Sequence, residues 1–429
     1  FIGGSKDIAG TLFLSKNGEL KPVKSAALEA DRISEDVSAV FFDADGDGNQ
    51  DLYVSSGGRA FSRSSSALMD RLYINDGKGQ LIKSQSALPF TNYYSNSTVS
   101  AGDFDNDGDT DLFIGERFDA FTYGESGRAF IFQNDGTGEF TDVTDKVAPE
   151  LMEIGMVTSS SWVDIDGDGD LDLVISGDWM ALQLFENNNG RLQKQEAFPN
   201  LNGWWHTLHL SDVDNDGDLD IIAGNHGENT FLKPGTRMYV SDFDQNGTKE
   251  QIYCEKIDGK YYPIVDKDEL IKQIPSLKKQ LVYFEDYANK SIDELFSPEV
   301  LSKARVFEMN ERRSGIFYNQ KGQFNFKPLP KEAQYSPIYA VHSEDLNGDG
   351  FQDLILGGNQ YLVKPQFGRY DALKGLILFG SQTGFSSDKL EFLNIDGQIR
   401  HIKKTTIEGK EKYLFVINNG PLLTYEKKD

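Results

Sequence analysis

Short apolar segments recur along the chain in pairs, and a loop rich in Asp, Asn and Gly separates the two members of each pair. The first pair, residues 39–42 and 52–54, lies on either side of such a loop. Apolar runs of three to five residues, many of them β-branched or aromatic, are typical of strands rather than helices. The pattern therefore predicts many short β-strands joined by tight turns.

The acidic loops follow one nine-residue plan, with oxygen-bearing side chains at positions 1, 3, 5 and 9 and a glycine at position 6. Five copies fit this plan closely, and a weaker sixth copy starts at Asp242. The residues at positions 1, 3, 5, 7 and 9 are Asp43, Asp45, Asp47, Asn49 and Asp51; Asp103, Asp105, Asp107, Asp109 and Asp111; Asp164, Asp166, Asp168, Asp170 and Asp172; Asp212, Asp214, Asp216, Asp218 and Asp220; Asp345, Asn347, Asp349, Phe351 and Asp353; and Asp242, Asp244, Asn246, Thr248 and Glu250.

A second turn signal follows each of the earlier loops. Asn-Asp-Gly occurs at residues 75–77 and 134–136, and related turns end at Gly190 and Gly322. Such pairs supply the positive-φ residues that tight hairpins need. One unit thus reads as strand, acidic loop, strand, link, strand, tight turn and strand. Because such units bury their faces only against one another, the repeat predicts an all-β fold, a β-propeller of stacked blades.

The loops are predicted to bind metal. Alternating oxygens in a loop that bends back at a glycine can converge on one hard cation, and a backbone carbonyl near position 7 adds a ligand. Several carboxylates in nine residues repel one another by roughly 1 kcal/mol per close pair, so ordinary solvated turns are a poor explanation. Calcium, which takes six to eight oxygens, fits better than magnesium. We expect about five calcium ions, with a sixth if the Asp242 loop binds.

An EF-hand shares the opening of this motif but needs flanking helices and a bidentate Glu at position 12. Position 12 is apolar in the five strong copies and lies in the following strand segment. The residues there are Val54, Ile114, Ile175, Ala223 and Leu356. The sequence therefore excludes the EF-hand.

Composition narrows the class of protein. The 429 residues are 38% hydrophobic and 12% aromatic, which is enough for a packed core, and no apolar run reaches the ~20 residues of a membrane span. The formal charge of −25 disfavours nucleic acid as a partner. Cys254 is the single cysteine, so thiol metal sites and intrachain disulfides are excluded. The chain starts without Met, and we expect it to be a fragment of a longer protein.

With these loops and strands in view, the chain resembles the FG-GAP/VCBS-repeat propellers, whose relatives form the head of integrin α subunits. The resemblance implies calcium on one rim and ligand or partner surfaces on the opposite face. Residues 266–304, 328–335 and 368–372 more narrowly resemble large bacterial surface proteins related to the ASPIC/UnbV group. Those proteins are typically secreted or lipid-anchored at the outer membrane, so this resemblance implies an extracellular, outward-facing location.

The unit count predicts about seven blades in one domain, residues 1–429. A partial blade covers residues 1–32, three blades carry the Asp43, Asp103 and Asp164 loops, and residues 204–334 form an expanded region that could hold two blades. The Asp345 blade and a last one at 395–429 without an acidic loop complete the ring. Within the expanded region, residues 266–304 predict a helical insertion, in which Leu270, Ile274, Leu277 and Leu281 share one face. This insertion either packs on the propeller or docks a partner.

No catalytic constellation stands out in the sequence. His206 and His209 are expected to be satisfied side chains before a loop rather than a transition-metal pair. The four tryptophans, Trp162, Trp179, Trp204 and Trp205, are expected in the core, with a sugar-binding surface as the alternative. We therefore predict a non-enzymatic surface binding or scaffold module with a protein or glycan partner, such as an accessory of an outer-membrane nutrient-uptake assembly. The alternative is a polysaccharide lyase or hydrolase on a calcium propeller.

Overall fold

The computed structural model describes residues 1–16, 18–62, 64–89, 94–119, 122–125 and 127–427. The predicted last blade at 395–429 therefore has its final two residues outside this range. Antiparallel sheets make up most of the regular structure, which confirms the all-β prediction. Six sheets follow one another around a ring, because the first strand of each contacts the first strand of the next. We name these sheets blades 1 to 6.

Blades 1 to 3 and blade 5 each pair four strands in chain order, blade 4 pairs four strands across an insertion, and blade 6 has three. The strands are, blade by blade, Asp36–Phe42, Asp51–Ser56, Arg71–Asn75 and Leu81–Lys83; Asn96–Gly102, Asp111–Glu116, Ala129–Asn134 and Phe140–Asp142; Met156–Val163, Asp172–Met180, Gln183–Asn187 and Leu192–Gln195, with Gly203–Trp204 beside the second; Thr207–Ser211, Asp220–Gly224, Gly315–Gln320 and Gln323–Pro328; Ile338–Glu344, Asp353–Gly358, Leu376–Leu378 and Leu390–Phe392; and Gln398–Ile407, Lys410–Asn418 and Leu422–Tyr425.

A hairpin near the N-terminus, Leu12–Lys16 and Glu19–Val23, lies between blade 6 and blade 1. Leu12 is buried in the same apolar cluster as Leu52 of blade 1. On the other side, the Glu408 N–H in the first turn of blade 6 donates to the Gly18 carbonyl (2.6 Å). The hairpin thus occupies a seventh position in the ring, as the repeat count predicts.

The expanded region contributes one blade to the ring, not two. Blade 4 is interrupted after its second strand, and the chain returns about ninety residues later to pair Ile221 with Phe317. The first strand of blade 4 contacts the first strands of both blade 3 and blade 5. No ring position is left for a further blade here, so the eight-blade alternative is wrong.

The interrupting segment, residues 225–314, forms a separate four-stranded sheet that we name the inserted sheet. Its strands are Thr236–Ser241, Glu250–Ile257, Lys260–Pro263 and Arg305–Met309. The loop beginning at Asp242 joins the first two of these strands, so it belongs to the inserted sheet and not to a ring blade. Sequence cannot distinguish the two cases because the local strand–loop–strand pattern is the same.

Short helices pack on the inserted sheet within residues 266–304. They are Lys267–Gln273, Ile292–Leu295 and Pro298–Ser302, with 3₁₀ turns at Pro275–Lys279 and Phe284–Asp286. The predicted apolar face is confirmed, because Leu270, Ile274, Leu277 and Leu281 are all buried against the sheet. The remaining helical elements are Ala26–Ala30, Thr144–Val147, Ser66–Leu68, Pro149–Glu153, Lys331–Gln334 and Pro365–Phe367.

The core is a series of apolar clusters between neighbouring blades. Tyr53 of blade 1 and Leu112 of blade 2 share one such cluster, and Phe113 of blade 2 and Leu173 of blade 3 share the next. All four side chains are essentially inaccessible to solvent. Burial of this kind stabilises each residue by about 1.5–3 kcal/mol, so each blade depends on its neighbours for its core.

Candidate metal loops and a cavity on the opposite face

Each ring loop joins the first strand of its blade to the second, so the loops of blades 1 to 5 lie at the same end of the strands. In blade 1, the Gly48 N–H at position 6 donates to the Asp43 carboxylate at position 1 (2.9 Å). Gly48 has φ +85°, which only glycine adopts at little cost. The same hydrogen bond closes the other five loops, at Gly108, Gly169, Gly217, Gly247 and Gly350.

The carboxylates at positions 1, 3 and 9 converge in five loops, where one oxygen from each lies within 4.8 Å of the others. These three-carboxylate groups are Asp43, Asp45 and Asp51; Asp103, Asp105 and Asp111; Asp164, Asp166 and Asp172; Asp212, Asp214 and Asp220; and Asp242, Asp244 and Glu250. Hard oxygen ligands at this spacing could hold a metal ion. The weaker Asp242 loop thus brings the same three positions together as the four strong loops of blades 1 to 4.

The blade 5 loop carries fewer charges, because Asn347 stands at position 3. Asp345 still accepts the Gly350 N–H (2.9 Å), and Asp353 still accepts the Leu346 N–H (2.8 Å). The amide oxygen of Asn347 can replace a carboxylate as a calcium ligand, at the loss of one negative charge. This loop therefore has the same backbone hydrogen bonds as the others but a weaker negative electrostatic potential.

The position-9 carboxylate is buried and ties the loop to its blade. In blade 2, Asp111 is inaccessible to solvent and accepts the Phe104 N–H (3.2 Å) and the Asn134 N–H of the third strand (2.8 Å). Equivalent pairs of bonds hold Asp51, Asp172, Asp220 and Asp353. Position 9 is therefore fixed before any cation arrives.

The side chains at positions 5 and 7 lie outside the three-carboxylate groups. The position-5 oxygen accepts the N–H of position 7, as in Asp47 with Asn49 (2.7 Å). At position 7, Asp170 of blade 3 accepts the side-chain amide of Asn106 in the blade 2 loop (2.7 Å). These side chains shape the loops and link neighbouring ones, and metal ligation by positions 5 and 7 stays a prediction.

The electrostatics of the groups favour a bound cation. Burial raises the pKa of Asp111 to about 7, with a smaller upward contribution from the nearby Asp105 and Asp107 and despite two backbone hydrogen bonds that lower it. Burial likewise raises the pKa of Asp172 and of Asp220 to about 6. Moreover, one buried oxygen of Asp105 and one of Asp244, both at position 3, have no hydrogen-bond partner. Buried acceptors that lack a positive partner fit a metal ion.

Asparagines at the end of the third strands connect each loop to the next blade. Asn187 of blade 3 donates to the Phe104 carbonyl in the blade 2 loop (2.6 Å) and to Leu171 in its own loop (3.0 Å). Asn134 and Asn319 repeat the inter-blade bond to Ala44 and Ile165. The sequence shows these asparagines only as hairpin residues. Their recurrence two residues before the turn glycine, or three where the turn is longer, was the signal available.

A cavity of about 340 Å³ lies at the opposite ends of the strands. It is lined by residues of blades 1 to 5 and of the inserted sheet: Arg59, Arg117, Phe118, Tyr123, Asp178, Trp204, His206, His226, Gln251, Tyr253, Tyr339 and Gln360. The insertion leaves blade 4 at this end, and Met238 of the inserted sheet packs with Trp179 of blade 3. The inserted sheet therefore forms one wall of the cavity.

Of the two histidines singled out in the sequence, His209 matches the expectation and His206, which lines the cavity, does not. His209 is satisfied by the Ser343 hydroxyl (2.8 Å), as expected, but neither ring nitrogen of His206 has a partner in the described part of the chain. The expectation was wrong for His206 because its ring stacks on Tyr339 (centroids 4.3 Å) at the cavity wall. His226, which is 4% exposed, also has two unpartnered nitrogens. Burial lowers its pKa to about 3, so it is neutral at pH 7.

The tryptophans divide between core and cavity. Trp205 and Trp179 are buried, and Trp162 packs half-buried between blades, as expected. Trp204 instead lines the cavity, where its indole nitrogen has no hydrogen-bond partner among the described residues.

The fold and the repeated loops define the chain as a β-propeller. Three segments, residues 56–114, 117–175 and 164–223, match the model of the FG-GAP-like repeat. The chain is therefore a propeller with FG-GAP-like repeats, as the motif predicts.

Solved structures with a similar fold include the N-terminal part of BBS1 in complex with ARL6 (11% identity, TM-score 0.42, covering 100% of this chain and 94% of that one). Others are the Dos1 propeller (9%, 0.43, 99% and 88%) and the Vibrio cholerae biofilm matrix protein Bap1 (12%, 0.36, 100% and 77%). At these identities and TM-scores the similarities support no conclusion about this chain. A search of curated proteins finds no match to the sequence. Within the described residues, no helix has the length and apolar character of a membrane span.

Proposed function

We propose that the chain is a calcium-stabilised binding propeller that acts at the outer cell surface and catalyses no reaction. The observation that supports this function best is the recurrence of one three-carboxylate design in five loops, four of them at the same face of the ring. Charge placed so regularly, and anchored by buried backbone bonds, needs a cation at each loop to become favourable.

Calcium is the cation that the donor set suits best. Three carboxylates, a backbone carbonyl and water supply the six to eight oxygens of calcium in a flexible loop. Magnesium demands a stricter octahedron and keeps most of its water. We propose five ions in the three-carboxylate loops and a weaker sixth in the blade 5 loop.

An extracellular location follows from the affinity of such sites. Exposed loops of this kind in extracellular modules bind calcium at about 10⁻⁴–10⁻³ M, which fills them outside a cell but not in a cytosol. The single cysteine, Cys254, is buried and free, so no disulfide stabilises the chain. Bound calcium would take that role by mass action.

Binding rather than catalysis is supported by the way the acids are used. The clustered carboxylates belong to loops, where a cation would keep them ionised and unable to transfer protons. The face opposite the loops of blades 1 to 5 carries the cavity and the insertion, and we propose that it receives the partner. The assembly that we propose is an outer-membrane nutrient-uptake assembly, in which this chain is an accessory subunit.

The test is purification of the full-length protein from native membranes in about 1 mM calcium and, in parallel, in EDTA. The proposal predicts co-purification with the same membrane proteins in calcium and loss of those proteins in EDTA. Recovery as a free soluble protein in both buffers would overturn the assembly role. Release of reducing ends or unsaturated products from a panel of acidic and neutral polysaccharides would overturn the non-enzymatic role.

A further inference from the structure

The cavity opposite the metal loops has a local excess of positive charge in a chain of formal charge −25. Of the described residues that line it, Arg59 and Arg117 are cationic and Asp178 is the one acid. Arg400 adds a third guanidinium just behind the wall, stacked on Tyr339 at 4.1 Å from its ring centroid. A cationic concavity in an acidic protein attracts small anions.

The two lining arginines are held differently. Arg117 is paired with the buried Asp178 through two hydrogen bonds (2.8 and 3.2 Å), and Tyr123 donates to the same carboxylate (2.9 Å). Arg59 is exposed at the cavity and forms no hydrogen bond or ion pair with any described residue. A free guanidinium offers the planar pair of donors that a carboxylate accepts.

The other polar groups of the wall both donate and accept hydrogen bonds. Neutral His206 and His226 each offer one donor and one acceptor, and Gln251 and Gln360 offer amides. The ring nitrogens of both histidines lack partners, and His226 is more than nine-tenths buried. Ligand hydroxyls match such groups because a hydroxyl also donates and accepts.

Aromatic residues complete the wall, with Phe118, Trp204 and Tyr253 among the lining side chains. Rings with an apolar body and a polar tip suit ligands that are apolar on one face and hydroxylated at the edge. The volume of about 340 Å³ lies at the lower end of the range for small-molecule sites, ~300–1,000 Å³. This size excludes a long polymer segment within the cavity and fits one or two sugar rings.

We infer that this cavity binds a carboxylate-bearing sugar, with Arg59 contacting the carboxylate and the histidines and glutamines contacting hydroxyls. The inference rests on the binding role proposed above and gives it a ligand class. The insertion contributes Gln251 and Tyr253, so it has a second role in completing the site besides packing on its own sheet.

The experiment is isothermal titration calorimetry on the calcium-loaded chain with D-glucuronate, with D-glucose as the neutral match and propionate as the carboxylate without hydroxyls. We expect glucuronate to bind at least about tenfold more tightly than either control, because one charge-assisted contact accounts for a factor of that size. Arg59→Gln should weaken glucuronate binding about tenfold and leave glucose unchanged. Arg191→Gln, an exposed arginine in the turn of blade 3 at the metal-loop face, should change neither.

No heat with glucuronate, equal binding of glucuronate and glucose, or an Arg59→Gln variant that binds like the parent would overturn the inference. Each sample is also melted with and without EDTA. If chelation lowers the melting temperature while glucuronate does not bind, this inference fails and the calcium-stabilised propeller stands. If chelation has no effect, the proposed function fails instead.

Discussion

The side-chain amide of Asn187 in blade 3 donates to the backbone carbonyl of Phe104, the second residue of the blade 2 loop, at 2.6 Å. The side-chain oxygen of Asn187 accepts the Gly190 N–H (2.9 Å), and the backbone N–H of Asn187 donates to the Asp172 carboxylate (2.8 Å). One buried residue thus fixes a hairpin, the loop of its own blade and the loop of the preceding blade. Hydrogen bonds of this kind connect the metal loops of neighbouring blades, so the loops are not structurally independent sites.

Asn187→Ala should destabilise the calcium-loaded protein by about 2–3 kcal/mol, because it leaves buried carbonyls without a donor. Urea denaturation followed by fluorescence measures the change. Asn188→Ala, at the exposed neighbouring position, is the matched control and should stay within about 0.5 kcal/mol. Equal stabilities of the two variants would show that the inter-blade bond has no energetic role.

Two substitutions in the blade 2 loop distinguish the role of the position-9 side chain in metal binding from that of the position-7 side chain. Asp111→Asn removes a member of the three-carboxylate group and turns an amide toward two backbone donors, so we expect the loss of one ion per chain and about 2–4 kcal/mol of stability. Asp109→Asn lies outside the group and should keep the ion. Elemental analysis of the two purified variants checks both outcomes, and loss of an ion from Asp109→Asn would contradict the assignment.

Acid should destabilise the protein through His226. Its folded-state pKa of about 3 lies below the ordinary value near 6.5, so between these values the unfolded state binds the extra proton. Stability is therefore lost as the pH falls below about 6.5, by roughly 2 kcal/mol at pH 5. Urea denaturation at pH 7, 6 and 5 in saturating calcium measures this slope.

The control for the acid effect is His226→Gln, which removes the titrating group from the same wall. The variant should show a shallower loss of stability between pH 7 and 5 than the parent protein. Parallel slopes for the two proteins would mean that other groups cause the acid effect.

Chelation should lower the melting temperature substantially. A site filled at 100 times its Kd stabilises the folded state by about 2.7 kcal/mol, and several such sites act together. Differential scanning calorimetry in calcium and in EDTA, at matched ionic strength, separates specific binding from charge screening. Magnesium at the same concentration should restore only part of the loss, and full recovery would contradict the choice of calcium.

Much of the ring follows from local sequence. The predicted strands at residues 39–42 and 52–54 lie within strands of the structure, and the turns at Gly77 and Gly136 are hairpins. These features depend on short apolar runs, turn residues and the loop motif, and each of these signals lies within a few residues of the chain. The positive φ of the position-6 glycines is of the same local kind.

The interrupted blade 4 could not be predicted, because it depends on pairing between Ile221 and Phe317 across the insertion. The Asp242 loop has the same local chemistry as the ring loops, so the sequence alone could not place it in a separate sheet. The cavity is also non-local, since five blades and the inserted sheet each contribute to it. His206 was misjudged for this reason: its surroundings come from distant residues such as Tyr339.

The most direct test of the account is the number of calcium ions bound per chain. The full chain, stripped with EDTA and dialysed into a buffer of about 1 mM calcium, is separated from free ion and analysed by mass spectrometry for metals against its protein concentration. The account predicts five ions per chain, or six when the weaker blade 5 loop is filled. Protein that retains no calcium under these conditions would contradict it.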